Sequence, residues 1–390
     1  AAPPFNIPSR ATMRILFVNH TFPGDLGPLL SAFAAEPGHE ILFASCRGRR
    51  DFSVPGVRHV VLSPSRRRLA GDGAGACLDR AVEMGRQALQ AFRLLRQSGF
   101  VPDMVVLSSA LEQGLFLNDA FPEAFSVCFA DELPDAGLAG DGRGLVRHLL
   151  QCRQMRQCAL VVSLTAGRPH PYGERVPHAV ALPYPVDTDY FAPAGDGAGR
   201  RADGDGLVLC AVRDAADVGR LLRLAEALLE RRPDCRPVLL CESAAGRERL
   251  AALAASLPSG VEVPERLSLP VYRDALRTAA VITAPDAACL PASVLLEAMS
   301  CGVVPVLAGD EGQWPVLRQG GGCLWCRAGR LVPTLAEALG QPQELARLSR
   351  AARAVAVRHF RRQDVIPVHL AVLRQARDAW LRERQGRTTA

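Results

Sequence analysis

A single carboxylate, Glu297, stands within the apolar segment PASVLLEAMSCGVVPV, residues 291–306. The spacing of the apolar residues predicts a helix over 291–300 that is followed by a buried strand. Burying an unpaired carboxylate in such surroundings costs on the order of several kcal/mol. A polar ligand or an internal arginine would offset that cost, and we favour the ligand. Glu297 is therefore the first candidate binding residue.

The basic side chains of this protein are all arginines, because the 46 Lys+Arg residues include no lysine. No lysine is thus available as a Schiff-base former or as a compact phosphate-binding charge. Arg213 directly follows the apolar run LVLCAV, where it either contacts an anionic ligand or lies on the surface at a strand end. The net charge of +6, with 40 acidic residues interspersed, favours a small anionic ligand over nucleic acid.

The first apolar run, RILFVNH, is followed by the turn sequence TFPGDLG. Pro23, Gly24 and Gly27 let the backbone approach a ligand closely, and such residues also form ordinary turns between a strand and a helix. His20, just before this turn, is either a group that acts on the hydroxyl group of a ligand or a hydrogen-bonded structural residue. Both interpretations of the loop remain open at this point.

Twelve cysteines are scattered along the chain, several of them in apolar runs such as FSVCFA, which is typical of reduced thiols in a cytoplasmic protein. Cys323 and Cys326 form a lone CxxC without the second pair of a zinc site or the helix N-terminus of a redox motif, so we expect neither kind of site there. No apolar run approaches the roughly 18 residues of a membrane span, and peripheral membrane contact is not indicated. Residues 1–12 precede Met13 and are interpreted as an extension or a cloning remnant.

Short apolar runs alternate with longer amphipathic segments along the chain. The runs are RILFVNH, HEILFAS, HVVLSP, DMVVLSS, FSVCFA and ALVVSLT, and then LVLCAV, PVLLCE, AAVITAP and VVPVLAG. This alternation predicts an α/β protein with parallel sheets that are covered by helices on both faces. The Gly/Asp/Pro-rich segment 185–206 interrupts the pattern once. The sequence therefore predicts two doubly wound, Rossmann-like domains.

The predicted organisation has an N-terminal domain at 13–185, a linker at 186–206, a C-terminal domain at 207–357 and a crossing helical segment at 358–390. Ligands of such sheets bind beyond the carboxyl ends of the strands, so we expect the site in the cleft between the domains. Membrane-surface binding is the less favoured interpretation of the arginine-rich last segment.

Four motifs, in order, resemble the GT-B glycosyltransferases, and more closely the family-4-type retaining enzymes (glycosyl transferases group 1, glycogen-synthase-like). The motifs are RILFVNHTFPGDLGPLL, GFVPDMVVLSSALEQGLFLNDAFPEA, VALPYPVDTDYFAP and LEAMSCGVVPVLA, which together extend over nearly the whole chain from Met13. The resemblance implies a GT-B fold and transfer of a hexose from a nucleotide sugar, such as a UDP- or GDP-sugar, to an unknown glycan, protein or lipid acceptor. It also implies a retaining reaction that needs no metal and no cofactor, because the nucleotide sugar is itself a substrate.

The resemblance assigns roles to particular residues. Glu297 matches the acid that hydrogen-bonds the hydroxyl groups of the donor ribose. The backbone amides of Ala292, Ser293 and Val294, at the start of the predicted helix, match the diphosphate-binding site, where the Ser293 hydroxyl adds a contact. Arg213 matches the arginine that stabilises charge on the leaving phosphate in an oxocarbenium-like transition state. The TFPGDLG loop matches the acceptor and phosphate loop.

Several family positions are changed in this sequence: Ser108, Gln113, Pro185, Val218 and Cys289 replace a histidine, a glutamate, a glycine, a lysine and an acid, respectively. Cys289 stands eight residues before Glu297, where the first acid of an E-x7-E pair would hold sugar hydroxyls, and we interpret it as a small buried residue. Ser108 cannot titrate near neutral pH as a histidine does. Arg220, two positions beyond the missing lysine, is its candidate substitute. These changes predict a degenerate active site.

Two functions are compatible with these residues and motifs. The first is a nucleotide-sugar-dependent glycosyltransferase with a divergent active site. The second is an inactive GT-B protein that serves as a binding or regulatory subunit. An NAD-dependent dehydrogenase is excluded because no G-x-G-x-x-G follows a predicted strand.

Overall fold

The computed structural model describes residues 12–47, 53–62, 73–109, 112–130, 142–165, 178–194, 206–213, 215–253, 256–257, 259–264, 268–309 and 314–388. The chain divides into two compact units. Unit 1 comprises residues 1–164, 170–182 and 366–390, and unit 2 comprises residues 165–169 and 183–365. The predicted extension, apart from Thr12, and residues 195–205 of the predicted linker lie outside the described residues.

Unit 1 is built on a seven-stranded sheet whose strands follow the apolar runs of the sequence. Its strands are β1 (Arg14–Thr21), β2 (Glu40–Arg47), β3 (Val57–Val61), β4 (Met104–Ser108), β5 (Phe125–Ala130), β6 (Leu160–Thr165) and β7 (Ala179–Pro183). They lie in the order β3-β2-β1-β4-β5-β6-β7, and the pairs from β3 to β6 are parallel. Every residue of β5 is buried, as expected for a sheet covered on both faces.

The helices of this unit position the segments that follow the strands. They are α1 (Gly27–Ala34), α2 (Ala74–Gln97), α3 (Leu117–Ala120) and α4 (Arg143–Gln157). Helix α2 buries the stripe Ala81, Gly85, Ala88 and Phe92. A Cβ at Gly85 would stand only 3.0 Å from the carbonyl oxygen of Glu112. Gly85 therefore lets α2 pack directly on the short 3-10 turn at 112–114, which follows β4.

Unit 2 is built on a five-stranded parallel sheet. Its strands are β8 (Leu207–Val212), β9 (Arg236–Cys241), β10 (Val281–Thr283), β11 (Val304–Ala308) and β12 (Leu324–Cys326), in the order β12-β11-β10-β8-β9. Its helices are α5 (Val218–Arg231), α6 (Ala244–Leu253), α7 (Leu269–Thr278), α8 (Ala292–Ser300), α9 (Pro315–Gly320), α10 (Leu331–Leu339) and α11 (Pro342–Phe360). Within the predicted linker, Val186 and Phe191 are buried in the core of this unit.

The last helix, α12 (Arg362–Thr388), has its first four residues in unit 2 and the remainder in unit 1. Within unit 1, Arg374 forms an ion pair with Glu36, which also accepts a hydrogen bond from His39 Nε2 at 3.2 Å. His39 Nδ1 accepts the backbone N–H of Met13 at 3.2 Å, which assigns the ring proton to Nε2. This polar network anchors α12 to the start of the first strand.

The predicted α/β class with two parallel sheets is confirmed. Each sheet also has a switch point, which is a pair of neighbouring strands whose chain connections lead to opposite edges of the sheet. It lies between β1 and β4 in unit 1 and between β8 and β10 in unit 2. Ligands of doubly wound sheets bind in the crevice outside the carboxyl ends of the strands at such a point. These two edges are therefore the places to look for functional side chains.

Candidate functional site

The segments that leave β8 and β10 meet at the switch point of unit 2. Arg213 directly follows β8, and its backbone N–H donates to the carbonyl oxygen of Cys289 at 3.0 Å. Cys289 closes the 3-10 turn Ala287–Cys289 that comes after β10. Helix α8 begins at Ala292, three residues further on. The fold thus brings three sequence-predicted candidates, Arg213, Cys289 and Ala292, to one edge of the sheet.

Helix α8 begins without a capping side chain. Its N-cap residue, Pro291, has extended backbone and no side-chain hydrogen bond to the helix. The backbone N–H of Leu295 donates to Pro291 at 3.0 Å, which is the first bond of the helix. The amides of Ala292, Ser293 and Val294 precede that bond, and all three residues are partly exposed. The positive end of the helix dipole therefore offers three backbone donors to an anion.

Glu297 lies one turn into α8, and its partner is a tyrosine rather than an arginine. The Tyr272 hydroxyl group, from α7, donates to Glu297 Oε2 at 2.8 Å. In the described part of the chain, the carboxyl group makes no ion pair and no other hydrogen bond. Burial raises the pKa of Glu297 to about 7, although the bond from Tyr272 opposes that shift. The group is therefore close to half ionised at neutral pH, and its Oε1 remains an open acceptor.

Arg213 and Ser293 are linked through one carboxylate, Glu242, which directly follows β9. Arg213 Nε lies 3.9 Å from Glu242 Oε2, and the Ser293 hydroxyl donates to Glu242 Oε1 at 3.4 Å. The Glu242 side chain is 47% exposed, so this ion pair is a weak one. An incoming anion can therefore compete with Glu242 for Arg213 at low energetic cost.

Arg220 reaches the same edge from the first turn of α5. Its Nη1 donates to Asp217 Oδ1 at 3.2 Å and to Cys289 Sγ at 3.3 Å. Val218, which the sequence resemblance aligns with a family lysine, is fully buried and supplies no charge. Arg220, two positions further along α5, brings positive charge to this edge of the sheet.

The Cys289 thiol is protonated and half-buried. Burial raises its pKa to about 11, and the Asp217 carboxylate shifts the pKa in the same direction. A thiol in this state is a poor nucleophile. The sequence analysis interpreted Cys289 as a small buried residue, whereas the structure leaves it half-buried in a 3-10 turn, because β10 already ends at Thr283.

Three side chains at this edge were not predicted from the sequence: Asp217, Glu242 and Tyr272. Glu242 follows β9 directly, as Arg213 follows β8, so its position after a buried strand was a usable signal. Tyr272 gave no such signal, because it lies 25 residues from Glu297 on a separate helix. Only the packing of α7 beside α8 brings the two side chains together.

At the switch point of unit 1, the TFPGDLG loop at the end of β1 is tightly packed. Asn19 is buried at the end of β1, and its Oδ1 accepts the backbone N–H of His20 at 2.7 Å. Gly24 has φ +54°, and a Cβ at this position would collide with the Asn19 amide nitrogen. A Cβ at Gly27 would stand 3.2 Å from the ring of Pro23. The proline and glycines of this loop thus meet an internal packing requirement, whatever ligand the loop binds.

The remaining candidates of unit 1 surround that loop. Burial, with a nearby guanidinium group, lowers the pKa of His20, so its ring is neutral at pH 7. Ser108 is half-buried, and its carbonyl oxygen accepts a bond from Gln154 Nε2 at 3.3 Å. Gln113 is buried, its Nε2 donates to Cys46 Sγ at 2.7 Å, and its Oε1 has no partner in the described chain. Gln113 therefore contacts Cys46 of β2, which is separated from β4 by β1 in the sheet.

The described residues contain no group of three His, Cys, Asp or Glu side chains arranged to hold a metal ion. The two thiols of the CxxC motif donate to backbone carbonyl groups, Cys323 to Leu324 at 3.7 Å and Cys326 to Leu307 at 3.4 Å. None of the helices described is both long and apolar enough to cross a bilayer.

Comparison with known proteins links this fold to glycosyltransferases. Residues 37–132 match the family model described as "Glycosyl transferase family 4 group". No curated protein sequence matches the chain.

Three solved structures match nearly the whole chain at low sequence identity. HepE from Anabaena in complex with UDP is 14% identical, with a TM-score of 0.63 over 93% of this chain and 100% of that chain. Sucrose-phosphate synthase from Thermosynechococcus elongatus is 15% identical, with a TM-score of 0.72 over 94% and 99%. The catalytic domain of starch synthase IV from Arabidopsis thaliana, bound to ADP and acarbose, is 13% identical, with a TM-score of 0.61 over 94% and 100%. The resemblance drawn from four sequence motifs is thereby confirmed: the chain has the fold of GT-B glycosyltransferases, and its residues 37–132 match glycosyl transferase family 4.

Proposed function

We propose that this protein is a glycosyltransferase that takes a hexose from a nucleotide-sugar donor bound at the carboxyl edge of unit 2. One observation carries the proposal. The uncapped start of α8, two guanidinium groups and the open oxygen of Glu297 all converge at the switch point between β8 and β10. A nucleoside diphosphate offers the complementary groups, since it joins a dianion to a ribose with two hydroxyl donors.

In this proposal the diphosphate accepts hydrogen bonds from the α8 amides and from Arg213 and Arg220. These donors strengthen as negative charge grows on the leaving phosphate, so they favour the transition state over the ground state. Arginines and helix amides do this work in place of a metal ion. The ionised form of Glu297 accepts a ribose hydroxyl at Oε1, while Tyr272 holds Oε2.

The proposed reaction is retaining, in keeping with the family-4-type motifs, and its site is divergent. The thiol of Cys289 is a weak hydrogen-bonding group, so a sugar hydroxyl gains little there. Ser108 offers a hydroxyl group where the family has an imidazole. HepE structures contain UDP and UDP-glucose, and the starch synthase IV structure contains ADP, so UDP, ADP and UDP-glucose are the first donors to test.

A binding subunit without transfer activity is the second candidate. The observation that favours it is the state of Cys289 and Arg220, which bond to each other where a carboxylate and a lysine would serve the sugar and the phosphate. Under this alternative the nucleotide still binds, because the α8 amides and Glu297 are unaffected by those changes.

Thermal unfolding in the presence of nucleotides tests donor binding. A ligand at 100 times its Kd stabilises the native state by about 2.7 kcal/mol, a shift of several degrees in Tm. We expect this shift with one or more of UDP, GDP, ADP and UDP-glucose, and we expect Glu297→Ala to remove it. Glu226→Ala, at an exposed position on α5, is the matched control and should leave the shift intact. No shift at millimolar nucleotide would overturn donor binding, and an unchanged shift in Glu297→Ala would place the pocket elsewhere.

Donor hydrolysis by the nucleotide-binding protein then distinguishes the two candidates. Release of free sugar from UDP-glucose, lost in Arg213→Gln, supports the glycosyltransferase. Binding without release, with and without added glycan, lipid and protein acceptors, supports the binding subunit.

A further inference from the structure

Glu242 has a fixed backbone position at the carboxyl edge of unit 2. Its N–H donates to the Val212 carbonyl oxygen at 3.0 Å, and the N–H of Ser243 donates to the Arg213 carbonyl oxygen at 3.0 Å, so the pairing of β9 with β8 continues past the end of both strands. The Arg247 guanidinium group, from the first turn of α6, also donates to the Glu242 carbonyl oxygen. The side chain of Glu242 is therefore free to rotate, whereas its Cα stays at this edge.

The Glu242 carboxylate contacts two groups that the proposed function assigns to the diphosphate. Its Oε1 accepts a hydrogen bond from the Ser293 hydroxyl at 3.4 Å, at the start of α8, and its Oε2 lies 3.9 Å from Arg213 Nε. An anion between a helix N-terminus and a guanidinium group has the arrangement that the proposed function gives to a phosphate. The protein thus holds one of its own carboxylates beside the proposed phosphate site.

The charge of Glu242 acts across this site. Burial is the main cause of the raised pKa of Glu297, the bond from Tyr272 opposes it, and the negative charge of Glu242 raises that pKa further. The Glu242 side chain is half-exposed, so it can turn toward solvent when another anion takes Arg213. Water then weakens the repulsion between the two anions without removing it, because the Glu242 backbone stays in place.

The substrate and the product of the proposed reaction differ in charge at this point. The diphosphate of a nucleotide sugar is esterified at both ends, so each of its two phosphates carries one negative charge. The free nucleoside diphosphate that remains after sugar transfer has a terminal phosphate whose second pKa is about 6, so it carries about one further charge at neutral pH. A neighbouring carboxylate therefore repels the product more strongly than the substrate.

We propose that Glu242 shifts the affinity of the donor site away from the free nucleoside diphosphate and toward the nucleotide sugar. This inference rests on the proposed donor site. In this role Glu242 promotes release of the product, which leaves with the larger charge. The same repulsion opposes the charge that grows on the leaving phosphate, so Glu242 favours product release and not the chemical step.

Calorimetric titration of the wild type and of Glu242→Gln with UDP and UDP-glucose tests the inference, and the matching GDP or ADP pair serves where that nucleotide binds. A unit charge about 6 Å away, in surroundings close to water, changes affinity about threefold for each charge on the ligand. We therefore expect Glu242→Gln to bind UDP-glucose about tenfold and UDP about thirtyfold more tightly than the wild type. The β-methyl ester of UDP, which lacks both the further charge and the sugar, should follow UDP-glucose.

Two further variants separate this role from others. Glu248→Gln removes the same charge from an exposed position on α6 and should bind each nucleotide like the wild type. Glu242→Asp keeps the charge at the same backbone position and should keep the wild-type ratio of the UDP and UDP-glucose affinities. An unchanged ratio in Glu242→Gln would overturn the inference. Weaker binding of both ligands would also overturn it, by showing that Glu242 holds Arg213 in place for the phosphate. Failure of the wild type to bind any of these nucleotides would instead overturn the proposed donor site, and the inference with it.

Discussion

The carboxyl edges of the two sheets have the same kind of switch point but use their polar groups differently. At the unit 2 edge, α8 starts without a capping side chain, and Glu297 keeps an open oxygen in the described structure. At the unit 1 edge, Asn19, Ser45 and Gln113 are buried, and each side chain makes at least one hydrogen bond to a neighbouring group of unit 1. Ser45 Oγ, for example, lies 2.8 Å from His59 Nε2 and donates to the Arg47 carbonyl oxygen at 3.0 Å.

This difference separates two parts of the proposed function. The groups suited to a nucleotide lie at unit 2 and are largely backbone amides, which survive changes in side-chain identity. The roles that the sequence resemblance assigns to Ser108 and Gln113 of unit 1 depend on side-chain chemistry, for which it expects a histidine and a glutamate. We therefore expect nucleotide binding to respond strongly to substitutions at unit 2 and weakly to substitutions at unit 1.

The strongest effect is expected from Ser293→Asp, which places a negative charge where the diphosphate would lie. The helix N-terminus favours a carboxylate at this position and the nearby Glu242 carboxylate opposes it, so the Tm of the unliganded protein should change little. Nucleotide affinity, measured by calorimetry, should fall about a hundredfold or more, because two anions compete for the same amides. Ser293→Ala is the control and should change affinity only a few-fold. Normal binding by Ser293→Asp would show that α8 does not hold the diphosphate.

A smaller loss is expected from Arg220→Gln. A hydrogen bond to a charged group contributes about 1.5–3 kcal/mol, so affinity for UDP should fall roughly ten- to a hundredfold. Arg223→Gln, on the exposed side of α5, provides the control for net charge. Equal affinities in the two variants would mean that Arg220 does not contact the nucleotide and has only a structural role through its bonds to Asp217 and Cys289.

Raising the pH through the pKa of Glu297 should lower the stability of the protein and strengthen its binding of UDP-glucose. Its pKa of about 7 lies above the usual carboxyl value, so the native state binds a proton more tightly than the unfolded chain. Stability from this group is present at low pH and is lost as pH rises toward 7. Glu297→Gln should therefore exceed the wild type in stability at pH 8 by about 3 kcal/mol, and the difference should vanish near pH 4.

Binding of UDP-glucose, which has no group titrating near 7, should instead strengthen in the wild type as Glu297 ionises. Glu297→Gln should lack this rise. Parallel pH profiles of the two proteins, in stability or in binding, would contradict the assignment of the titrating group.

The smallest effect on binding is expected from Ser45→Ala at the unit 1 edge. Losing a buried hydroxyl and its bonds should lower the free energy of unfolding by about 1–2 kcal/mol, measured by urea denaturation. Nucleotide affinity should stay within error of the wild type. A loss of affinity without loss of stability would mean that the unit 1 edge also binds the nucleotide.

The sequence predicted the α/β class, both sheets and most strands, because continuous apolar runs of strand length separated by amphipathic segments have few other stable arrangements. The position of Arg213 after a strand and of Glu297 within a helix could be predicted for the same reason, since both are local properties of one element. The residues at which one helix ends and the next begins were harder to predict from the sequence. The C-terminal segment reads as one helical stretch, yet Arg361 interrupts it between α11 and α12 with ψ 121°.

Contacts between elements distant in the chain were decided by tertiary structure alone. The Tyr272–Glu297 bond requires α7 to pack beside α8, and the reach of Arg220 to Cys289 requires β8 and β10 to be neighbours. Helix α4 shows that residue type alone does not decide burial, because Leu145 and Leu149 are exposed while Gln154 and Met155 are buried. Apolar periodicity encodes which residues share a face of one element, whereas the neighbour that covers that face is chosen by the whole fold.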